Sequence, residues 1–243
     1  MELNRVYNEN CLDGMKRIKD GSIDFILTDL PYGVTSCKWD SVIPFPSLWE
    51  QYNRIIKANG AIVLFSVQPF TTKLIQSNFN NFRYCWYWKK NNKTGFAFAK
   101  FQPMRCIEDI CVFYKQAPTY NPQGLKEIKN PKTRQKKDTG KDVVYKASTL
   151  SKEHTSRFTN YPVHLLQFDN EAASNKNRLH PTQKPLALCE YLIKTYTNAG
   201  ETVLDSCAGS GTTLLAAKNT GRQYIGFETD KDYFNICLKR LSA

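Results

Sequence analysis

A short strand-like run that ends in a carboxylate and a rigid turn is the feature that most constrains the fold. Residues 23–28 contain five apolar or β-branched positions, as in a buried strand, and Asp29 follows them directly. Open α/β sheets bind ligands at the carboxyl ends of their strands, so Asp29 is predicted to face a ligand crevice. Pro31 fixes its own φ and restricts Leu30 to extended backbone, which aims the Leu30 carbonyl. With the flat ring of Tyr32 beside them, these groups suit a planar substrate that carries an NH2 group.

A second strand and turn lie near the C-terminus. Residues 202–205 predict a strand, Gly209-Ser210-Gly211 leads into a helix, and the next strand ends in Glu228. Glycines in such a turn let the backbone approach a ligand, and an acid at the end of the following strand binds ribose hydroxyls. Glu228 lies 17 positions after Gly211, near the expected gap of about 20. The pattern predicts an adenosine-containing ligand. The third Gly of a dinucleotide fingerprint and the Gly-Lys-Thr of a P-loop are missing, which disfavours a nicotinamide enzyme and excludes a P-loop.

Both motifs resemble those of one enzyme family. Asp29-Leu30-Pro31-Tyr32 resembles the Asp-Pro-Pro-Tyr tetrad of the S-adenosylmethionine-dependent DNA amino-methyltransferases, which methylate the exocyclic amine of adenine or cytosine. Residues 205–213 resemble that family's cofactor motif Asp-Pro-Phe-x-Gly-Ser-Gly-Thr-Thr, with Ser206 and Cys207 in place of Pro and Phe. Residues 180–185 resemble the segment that holds the methionine end of the cofactor. Tetrad first and Gly motif last is the circularly permuted order of the beta class.

The resemblance implies an α/β fold of the Rossmann-like methyltransferase type, with a doubly wound, mixed, seven-stranded sheet. It divides the chain into a catalytic half at 1–118, a target-recognition insert at 119–178 and a cofactor-binding half at 179–243. The implied catalytic residues are Asp29, Leu30, Pro31 and Tyr32. The implied S-adenosylmethionine-binding residues are Asn10, Cys11, Asp29, Thr182, Gln183, Lys184, Asp205, Ser206, Gly209, Ser210, Gly211, Thr212, Thr213 and Glu228.

Two of these residues allow a more specific or a second interpretation. Lys184 is a candidate partner for the cofactor's carboxylate. Asn10 is equally suited to capping a helix that begins near Cys11. Asn10 therefore has a structural and a ligand-binding interpretation, and the sequence favours neither.

The surrounding sequence predicts the remaining elements of the fold. Leu3–Asn8 should form a strand that closes a right-handed βαβ unit with the tetrad strand, and Asn59-Gly60 should stop a helix. Other elements are expected as helices at 11–18, 45–57, 70–79, 186–197 and 230–241, a helix that follows Thr213 and ends near Asn219, a strand at 61–67, and an antiparallel pair at 83–90 and 109–114.

Charge points to a nucleic acid partner. The formal net charge is +12, and residues 121–180 contain 12 Lys or Arg against 6 Asp or Glu, without clear periodicity. This favours double-stranded DNA as the partner and a DNA-facing insert, with a merely basic surface or a disordered insertion as alternatives. Cations alternate with rings in 83–115, which fits phosphate contact plus base stacking, although rings can also be core. The DNA-binding candidates are Lys38, Trp39, Lys89, Lys93, Lys100, Arg105, Lys132, Arg134, Lys136 and Lys137.

Composition narrows the classes of site and of cellular location that the chain can have. The eight Cys include no Cys-x-x-Cys pair and the three His have no ligand spacing with them, so we expect no metal site. The N-terminus lacks an apolar signal region and no run reaches membrane-spanning length. We therefore expect no membrane partner and a cytoplasmic protein with reduced thiols, in a prokaryote or a phage-infected cell by the family resemblance. A homodimer is compatible with the sequence.

The family chemistry predicts the reaction. Asp29 and the Leu30 carbonyl would accept hydrogen bonds from the NH2 of a flipped base, on which Tyr32 stacks. Asp at the first tetrad position resembles the adenine enzymes, whereas Ser is commoner in the cytosine ones, so adenine N6 is favoured over cytosine N4. A catalytically idle DNA-binding relative is another alternative, given Leu30, Ser206 and Cys207. An amine of RNA or protein is a less favoured substrate.

Overall fold

The computed structural model describes residues 1–33, 40–135, 153–169 and 183–242. The regular elements within these residues are β1 Arg5–Tyr7, α1 Cys11–Met15, β2 Ile23–Asp29, α2 Phe45–Ile55, β3 Ile56–Ser66, α3 Phe70–Ser77, β4 Phe82–Thr94, β5 Arg105–Phe113, β6 Lys126–Gln135, β7 Glu153–Thr159, β8 Leu165–Gln167, α4 Leu186–Tyr196, β9 Thr202–Asp205, α5 Thr212–Asn219, β10 Gln223–Phe227 and α6 Lys231–Ser242. None of the helices in this part of the chain is long and apolar enough to cross a membrane.

The chain forms two compact units. One comprises Met1–Asn121 and His164–Ala243, and the other is Pro122–Val163. The second unit contains the antiparallel pair β6 and β7, whose Thr133 and Thr155 hydroxyls share a 2.7 Å hydrogen bond. Neither strand was predicted, because residues 121–180 have no clear periodicity. Nearly all described side chains of β6 are exposed, so its sequence lacks the two-residue alternation by which a half-buried strand is recognised.

The first unit is built on one mixed sheet of eight strands in the order β1-β10-β9-β2-β3-β5-β4-β8. The first five strands run parallel, β5 is antiparallel to both β3 and β4, and β8 runs parallel to β4. The predicted doubly wound mixed sheet is confirmed, with one strand more than expected. The additional strand is β8, whose three residues are too few to produce a periodic signal.

Helices cover both faces of this sheet. Phe25 and Leu27 of β2 pack with α4, α5 and α6, whereas Ile26 packs on the opposite face with α1, α2 and α3. All three side chains are fully buried. Burial on both faces explains why β2 is a continuous apolar run instead of an alternating one.

β1 and β2 run parallel in the same sheet with α1 between them in the chain, as expected for a βαβ unit, and β10 and β9 lie between the two strands. One local expectation was wrong. Asn59-Gly60 does not stop α2, which ends at Ile55 before β3 begins at Ile56. Instead, the β2–β3 register jumps from Ile23 opposite Ile56 to Phe25 opposite Ala61, so residues 57–60 form a bulge. A Cβ at Gly60 would lie 2.8 Å from the Asp24 carbonyl oxygen, which explains the glycine.

The strand order creates a switch point between β2 and β9. The chain leaves β2 towards β3 on one side and leaves β9 towards β10 on the other. Because both strands are parallel, Asp29 and Asp205 reach the same edge of the sheet at adjacent strand ends. This is where open α/β sheets bind their ligands.

Candidate functional site

A pocket of about 590 Å³ opens at the carboxyl ends of β2, β9 and β10. Its volume lies within the usual range for small-molecule sites, roughly 300 to 1,000 Å³. The pocket is lined by all four tetrad residues. The expected cofactor-binding residues on its wall are Asn10, Cys11, Asp29, Gln183, Lys184, Asp205, Ser206, Gly209, Ser210, Thr212, Thr213 and Glu228. Gly211 is not one of the lining residues, and Thr182 lies outside the described residues.

Asp29 is the centre of the tetrad side of the pocket. Its Oδ1 accepts a 2.6 Å hydrogen bond from the Tyr32 hydroxyl, and its Oδ2 accepts a 2.5 Å bond from the Lys184 ammonium. Burial raises the pKa of the Asp29 carboxyl, and the charge of Lys184 opposes that rise. The Tyr32 ring packs against Phe70 with centroids 5.0 Å apart. Each carboxylate oxygen keeps a lone pair for a further donor.

A buried network of alternating charges extends from Asp29. Lys184 also lies 3.5 Å from Oε2 of Glu108, and Lys90 donates a 2.9 Å hydrogen bond to the other oxygen of that carboxylate. Burial disfavours charge on Lys184, but the two carboxylates outweigh it and raise the pKa of the ammonium. Burial likewise opposes the Glu108 carboxylate, yet Lys184 and Lys90 hold the pKa of that carboxyl below its ordinary value. The network therefore balances two cations against two anions.

Glu108 and Lys90 line the pocket but were not predicted as site residues. The sequence offered little to find them: Lys90 ends one predicted strand, and Glu108 directly precedes the other. In the structure Glu108 lies opposite Trp88, two residues from Lys90. Lys184 was expected to meet a carboxylate of the ligand, whereas its ammonium has two carboxylates of the protein as partners.

The glycine turn is held by the carboxylate after β10. Gly211 precedes α5 with φ of +79°, and a Cβ there would lie 2.4 Å from the Cys237 Sγ. Glu228 accepts hydrogen bonds from the Gly209 N–H at 2.7 Å and the Asp230 N–H at 2.8 Å. Burial raises the pKa of Glu228, and these two donors oppose that rise. Glu228 therefore orders the turn and presents its carboxylate to the pocket.

The carboxyl end of β9 carries the buried carboxyl of Asp205, followed by Ser206, the first residue that departs from the family's cofactor motif. Burial raises the pKa of Asp205 to about 7, although the Cys207 N–H donates to it at 3.1 Å. The Ser206 N–H donates to the Thr28 hydroxyl at 3.1 Å, a bond that proline in this position cannot make. The Ser206 and Tyr52 hydroxyls share a second bond of 2.6 Å. The substitution thus ties β9 to β2 and α2.

Asn10 combines the two interpretations that the sequence left open. Its Oδ1 accepts a 2.9 Å hydrogen bond from the Leu12 N–H and so caps α1, and its side chain also lines the pocket. Cys11 follows it on the wall, and a hydrogen bond with the Cys207 thiol lowers the pKa of Cys11. The turn after β1 therefore contributes both a cap and a section of the wall.

Residues 23–239 match the sequence model of the N6_N4_Mtase family, described as DNA methylase. The chain belongs to this family. The methylase is thus one of the S-adenosylmethionine-dependent DNA amino-methyltransferases that act on adenine N6 or cytosine N4, as the motifs indicated.

Individual proteins agree with this assignment. The methylase is 29% identical to the type II methyltransferase M.HpaI of Haemophilus parainfluenzae, over 98% of this chain and 74% of the relative. It is 24% identical to the type II methyltransferase M1.MboII of Moraxella bovis, over 97% and 95% of the two chains. The crystal structure of the M1.HpyAVI–SAM complex has 25% identity and a TM-score of 0.67, covering 98% of this chain and 99% of that one.

A cytosine-N4-specific enzyme shares the fold. The PvuII DNA methyltransferase of that specificity superimposes with a TM-score of 0.71 over 97% of this chain and 85% of that one, at 19% identity. At this level of identity the likeness concerns the fold. The comparisons therefore support a DNA amino-methyltransferase without assigning the base.

The predicted DNA-binding residues of the methylase fall into three groups. Lys89, Lys93, Lys100, Arg105 and Lys132 are exposed. Arg134 lies in β6. Lys38, Trp39, Lys136 and Lys137 lie outside the described residues.

The rings of 83–115 divide between core and surface. Trp86 and Trp88 are buried in the core, whereas Phe96, Phe98 and Phe101 are exposed. Both interpretations of these aromatic residues therefore apply, each to a different part of the segment.

Proposed function

We propose that the methylase transfers a methyl group from S-adenosylmethionine to the exocyclic N6 of a flipped adenine in double-stranded DNA. One observation carries the proposal: the Asp29 carboxylate and the glycine turn after β9 line the same pocket at the switch point of the sheet. An amino-group acceptor and a cofactor turn must share one cavity for direct methyl transfer, because the reaction needs proximity and alignment.

The cofactor assignment follows the wall of the pocket. Gly209 and Gly211 both have positive φ, which lets the backbone of the turn approach a ligand. The Glu228 carboxylate keeps acceptor capacity for the ribose hydroxyls beyond its two backbone donors. Asn10 and Cys11, on the turn after the neighbouring β1, are assigned to the adenine end. Gln183 and Lys184 would flank the methionine end.

The chemistry proposed for Asp29 concerns the lone pair of the target amine. An aromatic amine is a poor nucleophile because its lone pair is delocalised into the ring. Hydrogen bonds from the NH2 to Asp29 and to the Leu30 carbonyl would draw the nitrogen towards tetrahedral geometry and localise that pair. The amine of a base flipped out of the stack would then attack the sulfonium methyl, since the amine is inaccessible within the stack. The new nitrogen–carbon bond would replace the carbon–sulfur bond, the neutral thioether would leave, and the nitrogen would release one proton. Tyr32, steadied by Phe70 and its bond to Asp29, would stack on the base.

Adenine is proposed because of Asp29 itself. The first tetrad position holds Asp, as in the adenine enzymes that the motif resembles, and not the Ser that is commoner in cytosine enzymes. The decisive experiment is incubation of the protein with unmethylated DNA and S-adenosylmethionine, followed by mass spectrometry of the nucleosides. N6-methyladenine is expected. N4-methylcytosine would overturn the assignment of the base, and unmodified DNA would favour a catalytically idle relative.

Asp29→Ala is the matched control for this experiment. It should abolish transfer, and S-adenosylmethionine binding measured by calorimetry should survive. A variant with near-normal turnover would refute the role of Asp29.

DNA binding by the exposed cations and by the 119–178 insert is part of the same proposal. The insert contains the second compact unit, Pro122–Val163, and half of the surplus charge of the chain lies in 121–180. We propose that the insert selects the target sequence and that the exposed lysines contact phosphates. Long-read sequencing of DNA from cells that express the protein would report the modified base and its sequence context together.

A further inference from the structure

The loop between β4 and β5 exposes three phenylalanine rings. Phe96, Phe98 and Phe101 are 81%, 59% and 87% exposed. The loop is ordered by its own backbone: the Phe98 N–H donates to the Gly95 carbonyl at 3.0 Å, and the Phe101 N–H donates to the Phe98 carbonyl at 2.9 Å. Several large apolar side chains exposed within one short ordered segment are typical of a surface that binds a partner.

This loop begins at the edge of the candidate active site. Trp88, Lys90 and Thr94 of β4 all line the pocket, and Thr94 pairs with Arg105 where the loop returns to β5. Phe96 follows Thr94 by two residues, so its backbone lies within about 7 Å of that pocket residue. Among the three rings of the loop, Phe96 is therefore the one nearest to a pocket residue along the chain.

The charge of residues 89–105 indicates which kind of partner the loop binds. Residues 89–105 contain five Lys or Arg and no Asp or Glu, and four of these cations are exposed, since only Lys90 is buried. At a two-fold interface a patch meets its own copy, so these cations would repel each other across a homodimer. A polyanion neutralises them, and duplex DNA also offers flat bases on which a ring can stack.

We propose that Phe96 enters the DNA base stack and occupies the gap that the flipped target base leaves, with Lys93 and Lys100 holding the adjoining phosphates. This inference rests on the proposed function, because it assumes that a base is extruded into the pocket. The gap is one base thick, about 3.4 Å along the strand, and an aromatic ring fills it with stacking on both sides. Filling the gap would stabilise the extruded state and hinder the base from returning.

A test uses duplexes that carry the target sequence reported by the long-read sequencing described above. One duplex is fully paired. A second has a mismatched base opposite the target, which lowers the cost of extrusion. In copies of both, 2-aminopurine replaces the target, and its fluorescence rises when it leaves the stack. The variants are Phe96→Ala and Phe79→Ala, since Phe79 is 70% exposed but lies outside this segment and outside the pocket.

Phe96→Ala should lower the single-turnover rate of methyl transfer on the paired duplex roughly tenfold, as expected for the loss of one base–ring stack. The loss should shrink to less than about threefold on the mismatched duplex, because extrusion there needs less support. The 2-aminopurine signal should fall in parallel on the paired duplex. S-adenosylmethionine affinity should be unchanged, and Phe79→Ala should match the wild type throughout.

Three results would overturn the proposed insertion of Phe96 into the DNA base stack. One is an unchanged rate for Phe96→Ala on the paired duplex. Another is an equal loss on both duplexes, which would indicate ordinary DNA contact. The third is a shift in sedimentation coefficient caused by Phe96→Ala, which would assign the ring to a contact between copies of the chain. Absence of transfer by the wild type would instead count against the proposed function, so the two failures are distinguishable.

Discussion

The Lys184 ammonium nitrogen lies 2.5 Å from Oδ2 of Asp29, although 155 residues separate them in the sequence. Lys184 lies two residues before α4, whereas Asp29 ends β2. Their contact joins the segment assigned to the methionine end of the cofactor to the proposed acceptor of the target amine. The same ammonium lies 5.1 Å from the centroid of the Phe65 ring, in a nearly dry environment where an unpaired charge would be costly.

Lys184→Met should move the acid limb of the kcat–pH profile to higher pH. Burial raises the pKa of Asp29, Lys184 opposes that rise, and Glu108 adds to it. Since the ionised Asp29 is the proposed acceptor, activity is lost as pH falls through its pKa, and removal of the opposing cation raises that pKa further. The measurement is kcat against pH at saturating DNA and cofactor.

Lys184→Arg is the control for this prediction because it keeps the charge. Its acid limb should stay near that of the wild type even if altered geometry lowers the rate. Coincident acid limbs for Lys184→Met and the wild type would show that Lys184 does not set the ionisation of Asp29.

Glu108→Gln should destabilise the fold because it removes the carboxylate that pairs with both Lys90 and Lys184. The Asp29 carboxylate would then be the one anion left in the network. Removing one partner of a buried charge network typically costs about 3 to 5 kcal/mol. Lys90→Met in the same chain should recover part of this loss, with a coupling free energy of about 1 to 3 kcal/mol. Urea denaturation of the wild type, both single variants and the double variant measures the cycle.

Glu2→Gln provides the reference, because Glu2 pairs with Arg5 on the surface with both side chains more than half exposed. Such pairs add little to stability, so this variant should unfold like the wild type. Strict additivity of the Lys90 and Glu108 substitutions would argue that the network is not energetically coupled.

Asp205→Asn should make the protein relatively more stable as the pH rises. The folded pKa of Asp205 is raised from 3.8 to about 7, so its contribution is fully present below pH 3.8 and is lost as pH rises towards 7. Between these values the wild type should lose stability relative to the variant by about 1.4 kcal/mol per pH unit. The difference in free energy of unfolding at pH 5 and pH 8 measures this. A difference independent of pH would mean that Asp205 titrates near its ordinary pKa.

Gly211→Ala should destabilise the cofactor side of the pocket more than Gly221→Ala does. Both glycines have similar positive φ, +79° and +74°, so both substitutions carry the same type of backbone strain. Only at Gly211 does a Cβ meet another atom, the Cys237 Sγ at 2.4 Å, whereas nothing lies within 4 Å at Gly221. The excess loss should be about 1 to 3 kcal/mol, with weaker S-adenosylmethionine binding in calorimetry.

Adding Cys237→Ala to Gly211→Ala removes the opposing sulfur and should restore part of the stability. Equal losses for the two glycine variants, or no recovery in the double variant, would contradict the close approach of α6 to the glycine turn.

Elements with strong local signals were predicted well. The bounds of β9 match the prediction, α5 ends at the expected residue but begins two residues earlier, and β2 ends one residue later than expected. Apolar runs and glycines mark such elements without reference to the rest of the chain. The bulge at 57–60 was misread as a helix stop, since Asn59-Gly60 has the same local appearance in either role. The β6–β7 pair was missed because its exposed residues carry no periodic burial.

The sequence by itself determined the family, the motifs and their order, and the two strand ends on which Asp29 and Asp205 stand. Those features are encoded by neighbouring residues whose side-chain size, backbone freedom and charge act over a few positions. Only the tertiary structure decided that Lys184 faces Asp29, that Glu108 and Lys90 complete the charge network, and that β8 joins the sheet. These relationships arise where distant segments meet in a buried space, and there the need to pair each charge, rather than any local pattern, selects the partners.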